Sequence, residues 1–140
     1  MDQYKFLPLL GRIMFGAPFV MSGLGKLGAY AATVGYIHAM GLPVPPLAYL
    51  LSVVVELGGG LLLITGYRVR FTSFVLALFC LATAAFFHRN FADQNQMIHF
   101  LKNVMMAGGL LQMTYFGAGA YSLDKVFGRG SAKLAAAGAN

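Results

Sequence analysis

The segment from Leu47 to Gly66, LAYLLSVVVELGGGLLLITG, is apolar except for one acidic residue near its middle, Glu56. About 20 such residues are enough for a helix to cross the roughly 30 Å hydrocarbon core of a bilayer. A carboxylate at that depth is costly, so we expect it to face protein or water, to have a partner and to mark a functional site. The segment therefore predicts a membrane-spanning helix that carries a buried acid.

The composition of the chain agrees with a membrane protein. Of the 140 residues, 59% are hydrophobic and 10% are charged, whereas about a quarter of the residues in an average soluble domain are charged. So few charges could hardly cover a soluble surface. The formal net charge of +6 comes from Lys and Arg residues scattered beside apolar runs. Because they form no basic stripe, we expect no nucleic-acid partner.

Four apolar runs predict an all-α fold, an integral membrane four-helix bundle. Each run has close to the ~17–25 residues that a spanning helix needs. The predicted spans are residues 6–25, 47–66, 71–87 and 98–116. We assign residues 1–121 to this transmembrane domain, and residues 122–140, which end in Ala and Gly, to a partly disordered cytoplasmic tail.

The link between the first two spans, residues 26–46, contains apolar residues at helical spacing. This pattern predicts a short interfacial helix on the membrane surface, with an ordinary loop as the alternative. Gly41 and Pro43 should end that helix, and Pro45 and Pro46 suit the start of the second span. The residues at helical spacing are Tyr30, Val34, Ile37 and Met40.

The distribution of Lys and Arg predicts the orientation of the spans. One side of the predicted membrane carries only Lys26 and Arg89. By the positive-inside rule the other side, with both termini, is cytoplasmic. The basic residues on that side are Lys5, Arg68, Arg70, Lys125, Arg129 and Lys133.

Polar residues inside the spans are the candidate ligand-binding or proton-relay residues: Arg12, Glu56, Lys102, Asn103 and His99. At 1.5 Å per residue, Arg12 and Glu56 are predicted to lie roughly 7 Å apart along the membrane normal, within reach of an arginine side chain. Lys102 could reach towards Glu56 or extend to the outer interface. The cluster could bind a polar head group such as a quinone carbonyl, or an Arg12–Glu56 pair could serve only helix packing.

Other residue types indicate packing rather than chemistry. His88, His99 and Asp93 show no short metal-ligand spacing, so we predict no metal site. No histidine lies inside a span in a position to hold haem, so we predict no covalently bound cofactor. The only cysteine, Cys80, excludes an internal disulfide. The glycines that we expect to permit close helix packing are Gly16, Gly23, Gly58, Gly59, Gly60, Gly108 and Gly109.

Several motifs occur in one order along the chain: SGLGKL from Ser22, GLPVPP from Gly41, ELGGGLLLITGYRVR from Glu56 and GAGAYSLD from Gly117. Together they resemble the DoxX family of small bacterial and archaeal membrane proteins, over nearly the whole chain. The resemblance implies a four-helix protein of the bacterial inner membrane. The residues it singles out are Arg12, Gly23, Lys26, Glu56, Gly59, Gly66, Asn103, Gly117, Ser122 and Asp124.

Some members of that family are subunits of quinone-linked complexes, and others are partners in oxidative-stress complexes. The resemblance therefore implies a quinone-associated subunit or accessory of a membrane redox complex, with Glu56 at its ligand or proton site. Its partners would be the lipid bilayer, quinone and other redox-complex subunits, and a homo-oligomer is compatible with the sequence. The alternative is a non-enzymatic assembly factor or small-molecule carrier whose buried charges are structural. Members that carry out thiol chemistry would need paired cysteines, and this chain has one cysteine.

Overall fold

The fold follows from long apolar runs separated by Gly, Pro and polar turns. The computed structural model describes residues 2–128, and this part of the chain contains helices and no strand. A 3-10 turn at Asp2–Tyr4 precedes the first helix. The remaining elements are α1 (Leu7–Leu27), α2 (Tyr30–Ala39), α3 (Pro45–Val53), a π-helical turn (Val54–Gly58), α4 (Gly59–Thr65), α5 (Val69–Phe87) and α6 (Gln94–Phe116).

The helix boundaries have local causes in the sequence. Pro8 lies in the first turn of α1, where a backbone N–H would have no partner within the helix, so proline costs no hydrogen bond there. Gly66, with φ +73°, ends α4 in the left-handed region that favours glycine. The Asp93 carboxylate caps α6 by accepting a hydrogen bond from the Asn95 N–H at 2.9 Å. The predicted short helix between the first two spans is confirmed as α2, and its place on the membrane surface stays a prediction.

The segments α3, the π turn and α4 form one unbroken helix, Pro45–Thr65, which contains Glu56. A π turn closes i→i+5 hydrogen bonds and adds one residue to a helical turn, and such turns often occur at functional sites. Here the wide turn lies at Val54–Gly58, so the acid sits within it. The sequence predicted the helix but not this local change of winding.

Glycines allow α1 to pack closely against the helix that carries Glu56. A Cβ atom on Gly16 would lie 2.7 Å from the Gly60 carbonyl oxygen, and one on Gly60 would lie 2.7 Å from the Gly16 carbonyl oxygen. Further along, a Cβ on Gly23 would lie 3.0 Å from the Leu57 backbone nitrogen. The two backbones can therefore touch along α1 only because these positions have no side chain.

The other glycines predicted to serve packing behave in two ways. Gly59 packs on Leu76 of α5, and Gly109 of α6 packs on the Phe15 ring of α1. A Cβ atom added to Gly58 or Gly108 would meet no other atom within 4 Å, so these two positions make no close helix contact within residues 2–128. The packing role expected of them stays a prediction.

The core lies where α1, α4, α5 and α6 meet. The most extensive helix contact joins α5 to α6, and α1 packs against α4 and the π turn. Buried side chains from all four helices form one cluster, which includes Phe19, Leu63, Leu76, Cys80 and Leu110. Cys80 is a free, buried thiol in that cluster. Many large apolar side chains outside it are exposed, as a protein surrounded by lipid requires.

Within residues 2–128, three helices are long and apolar enough to cross a membrane: Leu7–Leu27, Pro45–Thr65 and Val69–Phe87. They correspond to the first three predicted spans. The fourth predicted span lies within α6, which has 23 residues but is not among these candidates. Polar side chains such as Gln96, Lys102 and Asn103 lower its hydropathy. The fourth span, the four-helix membrane bundle and the cytoplasmic position of both termini therefore stay predictions.

Residues after α6 return to the turn between α4 and α5. The Asp124 N–H donates to the Gly66 carbonyl oxygen at 2.9 Å. The Asp124 carboxylate accepts hydrogen bonds from the backbone N–H groups of Arg68 at 2.6 Å and Val69 at 2.9 Å. Residues 122–128 are thus tied to the helical part of the molecule. The rest of the predicted tail, residues 129–140, lies outside the described residues.

Gly60→Ala tests the close contact between α1 and α4. The added methyl group would meet the Gly16 carbonyl oxygen, so we expect a loss of about 1–3 kcal/mol in unfolding free energy. Gly108→Ala is the matched control, because open space surrounds that position, and it should be neutral or slightly stabilising. Thermal unfolding of both variants in detergent measures the difference. Equal stability of the two would contradict the packing described here.

Candidate functional site

Glu56 is buried and paired, as its depth in the helix requires. Its exposed fraction is 6%, and its Oε2 lies 2.5 Å from the Lys26 ammonium. The Ser22 hydroxyl donates to Oε1 of the same carboxylate at 3.0 Å. The Lys26 ammonium also donates to the Ser22 hydroxyl at 3.1 Å. Ser22, Lys26 and Glu56 therefore form a closed hydrogen-bonded triad.

The local sequence explains how α1 brings two groups to one carboxylate. Ser22 and Lys26 are four residues apart, so they lie on the same face of the helix. Gly23, between them, lets the backbone of Leu57 approach α1 closely, which brings the π turn within reach of both side chains. The Tyr49 hydroxyl donates to the Lys26 carbonyl oxygen at 3.1 Å and ties α3 to the end of α1.

Two members of the triad, Lys26 and Glu56, form part of the wall of a cavity of about 400 Å³. Side chains from α1, α2, α3, the π turn and α5 line the cavity, and most of the lining is apolar. Aromatic rings make up much of its surface: Tyr36, Phe79, Phe86 and Phe87. The polar groups that reach it are those of Lys26, Glu56, Thr33, Ser52, Thr83 and His88.

This arrangement can hold a mainly apolar molecule by one polar end. Small-molecule sites are typically about 300–1,000 Å³, with apolar walls and a few polar groups that orient the ligand. An ammonium group has three N–H donors, and Lys26 uses two of them within the triad. The third N–H can donate to a ligand oxygen, and the carboxylate of Glu56 lies beside the same ammonium group. Surrounding apolar side chains strengthen both interactions.

Arg12 lies elsewhere, and the predicted Arg12–Glu56 pair is wrong. The guanidinium is 1% exposed. One nitrogen, Nη1, donates to the carbonyl oxygens of Leu63 at 3.1 Å and Ile64 at 3.3 Å. The other, Nη2, donates to the Tyr121 carbonyl oxygen. The last carbonyls of a helix have no partner within it and carry a partial negative charge, so this end of α4 attracts the cation more effectively than the distant acid.

The structure also separates the other predicted site residues from Glu56. Lys102 is exposed and forms no ion pair with a described residue, which fits the second of the two alternatives for it, extension away from Glu56. Asn103 donates to the His99 carbonyl oxygen of its own helix at 3.0 Å. The His99 ring stacks on His88, with ring centroids 5.0 Å apart. Of these four side chains, only that of His88 lines the cavity.

The sequence-based reasoning from charge depth missed Ser22 and Lys26. Lys26 follows the first apolar run, and we interpreted it as a flanking charge that reports topology. The useful signal was the i, i+4 spacing of Ser22 and Lys26 around Gly23. The family resemblance did single out Gly23, Lys26 and Glu56, which the structure brings together.

No group of three or more His, Cys, Asp or Glu residues within residues 2–128 could hold a metal ion. Asp93, considered with His88 and His99, instead caps α6. His88 Nδ1 lies 3.1 Å from Gln96 Oε1. These side chains therefore organise the connection between α5 and α6.

Comparison with known proteins gives consistent results. The DoxX family model matches residues 7–89. The chain is 40% identical over 123 residues to the inner membrane protein YqjF of Escherichia coli (strain K12). This alignment covers 86% of this chain and 92% of that protein. It is 33% identical over 124 residues to the inner membrane protein YphA of the same organism, with 85% and 89% covered. No solved structure matches the chain.

Arg12→Met tests whether Arg12 is a structural tie. The carbonyls of Leu63, Ile64 and Tyr121 would lose their hydrogen bonds from Arg12. We therefore expect the free energy of unfolding to fall by about 3 kcal/mol. Arg89→Met removes the same charge from an exposed position and should have little effect. Thermal unfolding in detergent compares the two. A stable Arg12→Met variant would show that these hydrogen bonds contribute little.

Proposed function

This chain belongs to the DoxX family and is a multi-pass protein of the bacterial inner membrane; from that premise we propose that it binds a membrane quinone as a subunit or accessory of a redox complex. The observation that carries the proposal is the cavity of about 400 Å³ with the Lys26–Glu56 pair in its wall. A quinone has a flat apolar ring with carbonyl oxygens and an apolar tail. It matches a site with aromatic walls and one polar corner.

The proposed chemistry uses the two charged residues in different roles. The third N–H of Lys26 donates to a quinone carbonyl oxygen and orients the ring. When a partner subunit supplies two electrons, the reduced oxygen atoms need two protons. Glu56 can pass on both in turn: it takes up a proton from the aqueous side, donates it to one reduced oxygen and is reprotonated from the same side for the second, with Ser22 holding the carboxylate in place. The chain thus positions the head group and moves protons, and the electrons come from the partner.

Two alanines on α5 provide a matched test of quinone binding. Ala82 lines the cavity, whereas Ala85, also exposed on α5, is outside the lining. A soluble short-chain quinone should raise the unfolding temperature of the wild-type protein and of Ala85→Phe. It should not do so for Ala82→Phe, because the new ring would occupy the cavity. If quinone stabilises neither the wild type nor the control, or stabilises all three proteins equally, the cavity is not a quinone site.

A second candidate function is a non-enzymatic one, in which the triad only fixes helix packing. The observation that favours it is that Glu56 is already satisfied by Ser22 and Lys26 within the protein. A membrane assembly factor or a carrier of small molecules would need no protonation chemistry at this pair. The two proposals differ in what Glu56 does beyond holding α1 and the π turn together.

A double-mutant cycle separates structural from functional use of the pair. If the pair is architectural, Lys26→Met should cost about 3–5 kcal/mol, because it leaves the buried Glu56 carboxylate unpaired. Glu56→Leu should cost less, because the Lys26 side chain is 25% exposed and keeps contact with solvent. The double variant should recover much of that loss. Glu56→Gln, assayed in respiring membranes, supplies the functional arm. Loss of quinone-linked activity in a variant that still folds supports the quinone proposal, and unchanged activity supports the packing role.

A further inference from the structure

A second cavity lies at the other end of the molecule from the triad. It is an open groove of about 1210 Å³ at the place where α1 and α5 begin and α6 ends. Four basic residues line it, and Asp124 is the acidic residue in its lining. The basic residues are Lys5, Arg68, Arg70 and Lys125. Neither the proposed quinone site nor the predicted topology requires these side chains to share one groove.

The acidic residue of the groove is already engaged with the backbone. Both oxygens of Asp124 accept hydrogen bonds from N–H groups, one from Arg68 and one from Val69, at the start of α5. Arg70 and Lys125 form no side-chain ion pair with any described residue. Arg70 and Lys125 therefore bring positive charge to the groove that no described side chain neutralises.

Arg70 is held in a position suited to binding an anion. Gly117 has φ +83°, and a Cβ there would lie 3.2 Å from Arg70 Nε, so the guanidinium rests against a backbone that has no side chain. A planar guanidinium can donate two parallel hydrogen bonds to a phosphate. The absence of a Cβ at Gly117 leaves space for this approach.

Apolar side chains lie in the same groove as the cations. Phe71 is 67% exposed and Phe116 is 72% exposed, and both line the groove. Phe71 lies in the first turn of α5 and Phe116 is the last residue of α6. Lys5, just before α1, lines the same groove. Basic pockets between membrane helices are suited to lipid head groups. Free phosphate would use the cations but would gain nothing from two exposed aromatic rings.

We propose that this groove binds the head group of an anionic phospholipid, with its phosphate on Arg70 and Lys125 and its acyl chains against Phe71 and Phe116. The site would attach the end of the molecule that contains Arg12 and Asp124 to one leaflet. Its occupation is independent of the quinone cavity at the opposite end.

The test uses the full-length protein, washed with detergent and then placed in nanodiscs of phosphatidylcholine with or without phosphatidylglycerol. Mass spectrometry of the released protein counts retained phosphatidylglycerol. We expect the wild type to retain it and to unfold at a higher temperature when it is present. Arg70→Gln combined with Lys125→Gln should reduce retention several-fold and abolish the temperature shift.

Arg89→Gln combined with Lys102→Gln is the control, since it removes the same charge from exposed residues outside the groove. This control should retain lipid as the wild type does. Equal loss in both double variants would overturn the proposal in favour of general charge attraction. Equal retention of phosphatidylcholine and phosphatidylglycerol would also overturn it. Displacement of lipid by millimolar inorganic phosphate, with no effect of Phe71→Ala, would assign the groove to free phosphate instead.

Discussion

The structure depends on the need to pair Glu56 inside an apolar environment. An unpaired carboxylate there would cost several kcal/mol, and one helix alone cannot supply a cation. The π turn places the acid against α1, where Lys26 and Ser22 share it. The cavity lies beside this contact, where residues of α2, α3 and α5 line the space next to the charged pair.

Close approach of the backbones makes that pairing geometrically possible. Gly16, Gly23 and Gly60 remove the side chains that would keep α1 and α4 apart. The missing side chain of Gly66 has the same effect at the end of α4, where it leaves space for the Arg12 guanidinium beside the last carbonyls. Two side chains of α1 thus tie it to the helix Pro45–Thr65. Arg12, in the first half of α1, binds backbone oxygens, and Lys26, at its end, binds Glu56.

The chain therefore separates its polar chemistry into two regions. Near Glu56 a small, mainly apolar cavity contains a compact ion pair, which suits a neutral molecule with a hydrogen-bond acceptor. Near Arg70 an open groove contains several cations and exposed aromatic rings, which suits an anionic amphiphile. Arg12 and Asp124 tie the chain after α6 to the end of α4 and the start of α5.

Length and hydropathy were enough to predict the helices, because the cost of unpaired backbone groups in lipid makes a long apolar run helical almost regardless of its neighbours. The depth of Glu56 likewise showed that it needed a partner. The identity of that partner depended on helix rotation, and rotation is decided by which side chains are absent at the contacts. Gly23 and the π turn directed Glu56 to Lys26, while the last carbonyls of α4 accepted hydrogen bonds from Arg12. Linear depth cannot distinguish these outcomes, since it contains no information on which face of each helix meets the next.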